Sequence, residues 1–205
     1  MNPVARLFDL AAGRPLPEEA DGSASRLQLA VHATLASIGL AAIYGLAAGS
    51  ADTATLVANL YRAPMVTVLS AASALPAALL TWKLTGAPGR ASDLVLGAAS
   101  GIFTGTLLLA ALSPLVVLFY QTSLYAGLFA MAVTALATLL GLLTAVRAVL
   151  NRVPAGKSLL AAALPTGVLA FVQLAALAQL IQVVGGLLPE RTVFDAGIDG
   201  IVGVE

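Results

Sequence analysis

An all-α polytopic membrane bundle of about five spans is the fold class this sequence predicts, and three observations predict it. First, 60% of the 205 residues are hydrophobic and only 10% are charged, against about 45–50% and about 25% in a typical soluble domain. A water-soluble chain of this size leaves too much of its surface exposed to hide such an excess. Second, five long apolar stretches, 27–48, 64–82, 94–120, 124–146 and 158–185, contain no Asp, Glu, Lys or Arg. A spanning helix needs about 20 such residues. Third, the basic residues are distributed unevenly between alternate connections. Arg6, Arg14, Arg26, Lys83, Arg90, Arg147, Arg152 and Lys157 fall on one side of a five-span arrangement, and only Arg62 and Arg191 on the other. The positive-inside rule then places the N-terminus in the cytoplasm and the C-terminus outside.

Each segment follows in order. Residues 1–26 form a cytoplasmic tail. Asn2 and Pro3 suit the cap and first position of a helix, and Val4, Leu7, Phe8 and Ala11 recur at near-helical spacing, so a short interfacial helix is expected there. Gly13-Arg14-Pro15-Leu16-Pro17 breaks it, and a polar linker leads to the first span. That span is longer than the roughly 7–15 apolar residues of a signal-peptide core and reads as uncleaved. The third and fifth spans exceed one hydrocarbon thickness and must tilt or project. Helices are the expected form, because lipid offers the backbone no hydrogen bonds. Runs such as Leu107–Leu112 lack the alternation of a membrane-spanning strand. Tyr44, Tyr61, Tyr120 and Tyr125 fall near the outer span ends and Trp82 near an inner end, as interfacial aromatics do. Residues 186–205 make a mildly acidic outer tail.

Small residues mark the packing faces. Gly97, Gly101 and Gly105 stand four apart on the third span and form a groove that admits another helix closely. Ser37, Ala41, Gly45 and Gly49 make a similar stripe on the first. Packing within one chain is the favoured use of the groove, and association with a second copy is the other. Pro76, Pro114 and Pro165 lie inside spans, where proline kinks a helix.

The chemistry is mostly exclusion. With no Cys, thiolate metal sites, Fe–S clusters and disulfides are ruled out. A formal charge of zero and no basic cluster argue against a nucleic-acid partner. No nucleophile elbow or phosphate-binding glycine loop is present, and no catalytic, cofactor or metal site is expected. His32, about a turn into the first span, is read as finding a partner near the headgroups, with a proton relay as the sharper alternative. Gln173, Gln179 and Gln182 on the fifth span are the candidate polar lining; the last two share a face and Gln173 is offset from them. Interhelical hydrogen bonding is their common use.

The segments Met1-Asn2-Pro3, Ala42-Ile43-Tyr44-Gly45, Arg62-Ala63-Pro64-Met65, Leu75-Pro76 to Lys83-Leu84-Thr85-Gly86, Ser113-Pro114 and Phe119-Tyr120 resemble the Yip1-domain superfamily, and more narrowly its bacterial five-span members. That resemblance implies a non-enzymatic membrane protein and carries over no catalytic residue. The functional expectation is a scaffold or accessory subunit of a membrane complex in the bacterial inner membrane, its partners being lipid and other membrane subunits or a second copy. The alternative is a small-solute or ion transporter or channel, as a homo-oligomer.

Overall fold

The structure, a computed structural model, describes residues 3–12, 22–123, 125–153 and 158–184. Among these every regular element is helical: α1 (Pro3–Ala11), α2 (Ser23–Ala48), α3 (Thr53–Leu84), α4 (Ala91–Thr122), α5 (Ala126–Leu150) and α6 (Leu159–Val184). The helices α2 to α6 are each long and apolar enough to cross a bilayer. Their outward faces carry large apolar side chains such as Val31, Leu35, Leu60, Leu80, Leu160 and Phe171, which fits hydrocarbon as the surrounding solvent. The protein is therefore an all-α integral membrane bundle.

Most packed pairs of spans run antiparallel. Gly45 and Gly49 of α2 face Ala63 and Leu56 of α3, with the numbers running in opposite directions. Gly97 and Gly105 of α4 face Val149 and Ala137 of α5 in the same way, and Thr85 after α3 meets Ala161 early in α6. Arg26 and Asp93, near the starts of α2 and α4, pair with each other, so those two helices run parallel. The main packing forms a ring in the order α5, α4, α2, α3, α6. Only the α5–α6 seam that would close it is sparse.

The direction of the helices gathers charge at one end. Among the described residues, Arg6, Arg26, Lys83, Arg90, Arg147 and Arg152 lie on or beside α1, the starts of α2 and α4, and the ends of α3 and α5; Arg62, early in α3, lies toward the other end. We refer to the first as the basic end.

One span departs from the sequence expectation. The second span was expected from residue 64, but α3 begins at Thr53. Asp52 caps it, its carboxylate accepting from the Thr55 backbone N–H at 2.9 Å. Asn59, which looked like loop, is fully buried in α3 against Gly45. At 32 residues the helix is about 48 Å long, well beyond the roughly 30 Å of hydrocarbon. The α4 helix runs unbroken through Pro114 to Thr122, so the proline does not end it.

The tail helix α1 forms over the expected residues but does more than lie on a surface. Leu7 and Leu10 are buried in one cluster with Leu29, Ala30 and Ala33 of α2 and Leu96, Ala99 and Phe103 of α4. Phe8 meets Phe103 edge to face, with ring centroids 6.1 Å apart. Asn2 lies outside the described residues, as do residues 13–21 and 185–205.

Candidate functional site

The glycine groove of α4 is filled from within the chain. A methyl group at Gly101 would lie 2.6 Å from the Gly141 carbonyl oxygen of α5, and one at Gly97 2.5 Å from the Val149 side chain. Gly141 returns the contact on Gly101 at 2.7 Å. The two backbones thus touch with nothing larger than hydrogen between them, the geometry in which small-residue seams gain their packing energy. Association of two copies through this face would require α5 to leave it. Gly45 and Gly49 do the same for α2 against α3, a methyl at Gly45 falling 3.1 Å from Ala63 Cβ and closer still to the Asn59 carbonyl.

Toward the basic end the ring interior is solid. Ala74, Ala78 and Trp82 of α3, Leu94 and Ala98 of α4, Val149 of α5 and Leu169 of α6 form one buried cluster. Trp82, expected at the interface, is part of this core because its ring packs on small neighbours rather than on headgroups. Beside it Arg26 and Asp93 are 8% and 4% exposed and form a buried ion pair. The sequence reading put Arg26 in a tail and Asp93 in a loop; both lie in the first turn of a helix, where they face each other. Asp93 also accepts the Arg90 backbone N–H at 3.1 Å and favours the α4 N-terminus electrostatically.

Away from the basic end the interior opens into a cavity of about 540 Å3 to which all five spans contribute. Its back wall is buried: Ala41, Tyr44 and Gly45 of α2, Val66 and Ser70 of α3, Ile102, Gly105 and Thr106 of α4. Its exposed lining comes entirely from α5 and α6, where Met131, Leu139 and Leu174 are 41%, 56% and 45% exposed. The mouth is therefore the sparse α5–α6 seam, on the flank of the bundle.

The polar groups of the lining are almost all committed. Thr67 Oγ1 donates to the Ala63 carbonyl at 2.8 Å, Ser70 Oγ to Thr67 at 2.9 Å, Thr106 Oγ1 to Ile102 at 2.9 Å and Thr138 Oγ1 to Thr134 at 2.8 Å. The Tyr44 hydroxyl donates to the Ala130 carbonyl at 3.0 Å and lies 2.6 Å from Thr134 Oγ1. Tyr44 is thus buried between α2 and α5 and is not an interfacial belt residue. Tyr61 and Tyr125 are exposed. Hydroxyls bonded to their own helix have no donor left for a ligand. Gln173 is the exception: its half-buried amide lines the cavity without a hydrogen-bond partner among the described residues.

The candidate polar lining read from the sequence therefore divides. Gln173 continues the buried stripe of α6, which runs Ala162, Thr166, Leu169 at helical spacing. Gln179 is exposed and is not part of the lining. Gln182 occupies the last turn of α6, and its side chain lies outside the described residues. His32 is exposed on α2, away from the cavity, and its Nδ1–H donates to the Gln28 carbonyl of its own helix at 2.7 Å. Sequence reasoning missed the cavity wall contributed by Tyr44, Thr134 and Thr138. The one signal for it was the four-residue spacing of the two threonines.

Among the described residues no three His, Cys, Asp or Glu side chains group as metal ligands do. What the fold and cavity define is a multi-pass integral membrane protein with an intramembrane, side-opening chamber. No protein-family model matches the chain, and neither a curated protein nor a solved structure does.

Proposed function

We propose that the protein is a non-enzymatic integral membrane protein that acts as a scaffold or accessory subunit of a membrane complex. The observation that carries this reading is the filled basic half of the ring. Ala74, Ala78, Leu94, Ala98 and Leu169 lie between the cavity and that end, so among the described residues apolar side chains close the chamber on that side. A selective pore presents backbone carbonyls or charged side chains to its ion, whereas here the cavity hydroxyls of Thr67, Ser70, Thr106 and Thr138 are turned onto their own helices. Six basic residues at one end favour a cytoplasmic basic end under the positive-inside rule, in an inner membrane of bacterial type. The resemblance to bacterial five-span members of the Yip1-domain superfamily is in keeping with a non-catalytic role.

The cavity and Gln173 favour one second reading, a small-solute or ion transporter. Reconstitution of the full chain in liposomes separates the two. The scaffold reading expects no selective flux of ions or small polar solutes above that of protein-free vesicles, and a membrane subunit recovered in fixed ratio with the chain from native membranes. Selective flux that Gln173→Leu abolishes would overturn it in favour of transport.

A further inference from the structure

We infer that the cavity is a binding site for a neutral, largely hydrocarbon molecule of the bilayer that carries a carbonyl or hydroxyl group, taken up sideways between α5 and α6 and held at its polar group by Gln173. Four observations converge. The first is position: among the described residues every exposed lining residue belongs to α5 or α6 and lies within their apolar spans, from Leu139 at mid-span of α5 to Ile181 at the far end of the α6 span, so most of the mouth faces hydrocarbon. A molecule entering there is already dissolved in the membrane.

The second is capacity. The volume of 540 Å3 lies within the range of about 300–1,000 Å3 common to small-molecule sites. An engineered apolar cavity of about 150 Å3 holds one benzene, and the same scale gives room here for roughly twenty carbon atoms. The third is charge: among the described residues no Asp, Glu, Lys, Arg or His lines the chamber. A charged headgroup drawn inside would stay uncompensated in a low-dielectric site, so the bound group is neutral. The fourth is the amide. Gln173 offers two donors and one acceptor, and it stands at the inner end of the lining beside the hydroxyls that have none to give. A ligand oxygen or hydroxyl placed there gives that amide its partner, while the carbon skeleton fills the space toward Tyr44 and Leu109. The inference does not depend on a partner subunit being found.

Photolabelling tests it. The full chain is reconstituted in phosphatidylcholine liposomes containing a long-chain fatty alcohol with a mid-chain diazirine, or phosphatidylcholine with the same diazirine in one acyl chain. The expected result is saturable fatty-alcohol labelling of cavity residues on α5 and α6, competed by unlabelled alcohol and stronger than labelling by the phospholipid. Ala135→Trp, at an exposed position in the mouth, abolishes the competed labelling. Gln173→Leu keeps the shape and removes one hydrogen bond, which weakens apparent affinity for the alcohol roughly threefold to tenfold. His32→Ala, on another flank, changes nothing. Labelling that spreads evenly over the outward faces, or that Ala135→Trp leaves intact, overturns the site. Equal labelling by the phospholipid with no effect of Gln173→Leu overturns the neutral ligand. A dimer that Ala135→Trp dissociates, without competed labelling, assigns the mouth to a second copy and overturns the proposal as well.

Discussion

The two seams that α5 makes with its neighbours differ more than their compositions suggest. Along α4 and α5, Gly97, Gly101, Gly105 and Gly141 let backbones meet, and no space is left. Along α5 and α6 the facing residues are Met131, Thr134, Thr138, Gln173, Leu174 and Ile181. These side chains line the cavity, and the two helices meet only sparsely. In lipid, apolar surface alone gives helices no reason to close, because the tails are as apolar as leucine; shape decides. The difference teaches that small side chains seal this bundle and intermediate ones leave it open.

Substitutions at the basic end and in the two seams would break or sharpen that contrast, the strongest first. Asp93→Ala leaves Arg26 buried without its carboxylate and should cost about 3–5 kcal/mol, read as a fall in thermal stability in detergent. The double variant Arg26→Met, Asp93→Leu recovers most of that loss. A near-neutral single variant would show that the ion pair does not hold the basic end together. Gly101→Leu forces α4 from α5 and should cost about 1–3 kcal/mol or more, whereas Ala135→Trp in the open seam should stay within about 0.5 kcal/mol. Equal losses at the two positions would erase the distinction between sealed and open seams. Thr134→Val removes the hydroxyl beside Tyr44 and should cost about 1 kcal/mol, since Tyr44 keeps the Ala130 carbonyl.

The smallest effect belongs to Asp52. The Thr55 backbone N–H and then its hydroxyl, each 2.9 Å away, hold this exposed carboxyl below its ordinary range. A lowered folded-state value means the cap stabilises fully above the ordinary carboxylate pKa and loses that contribution as pH falls through the lowered one. Wild type should therefore melt slightly earlier in mild acid. Asp52→Asn, a neutral cap, should remove that acid dependence while leaving the helix start intact, as melts across pH would show.

Much of the fold was legible because it rests on long-range composition. Uncharged runs and uneven basic residues are enough to give helices, their number and an expected orientation. The small-residue spacing of Gly97, Gly101 and Gly105 also marked a tight face correctly. What the sequence could not disclose was which faces look inward. On a soluble helix the polar side identifies solvent, but here Leu35 faces outward and Leu94 inward with the same chemistry. That is why Tyr44 and Trp82 read as interfacial and proved buried. It is also why Gln173 could not be told from Gln179 by polarity alone. Arg26 and Asp93 were obscured for another reason: charge was used to delimit the spans, and two opposite charges that meet inside the bundle defeat that criterion.

The seating of α1 has a bearing on how the protein is made. Its cluster joins α2 to Leu96, Ala99 and Phe103 of α4, and the ion pair beneath it links positions 67 residues apart in the chain. A ribosome delivers the first helix long before its berth exists. Until the third hydrophobic segment has left the translocon, the Phe8 ring has no Phe103 to meet. Arrival of α4 therefore completes the docking of a helix made earlier, and a nascent chain halted before that point should leave α1 accessible to protease.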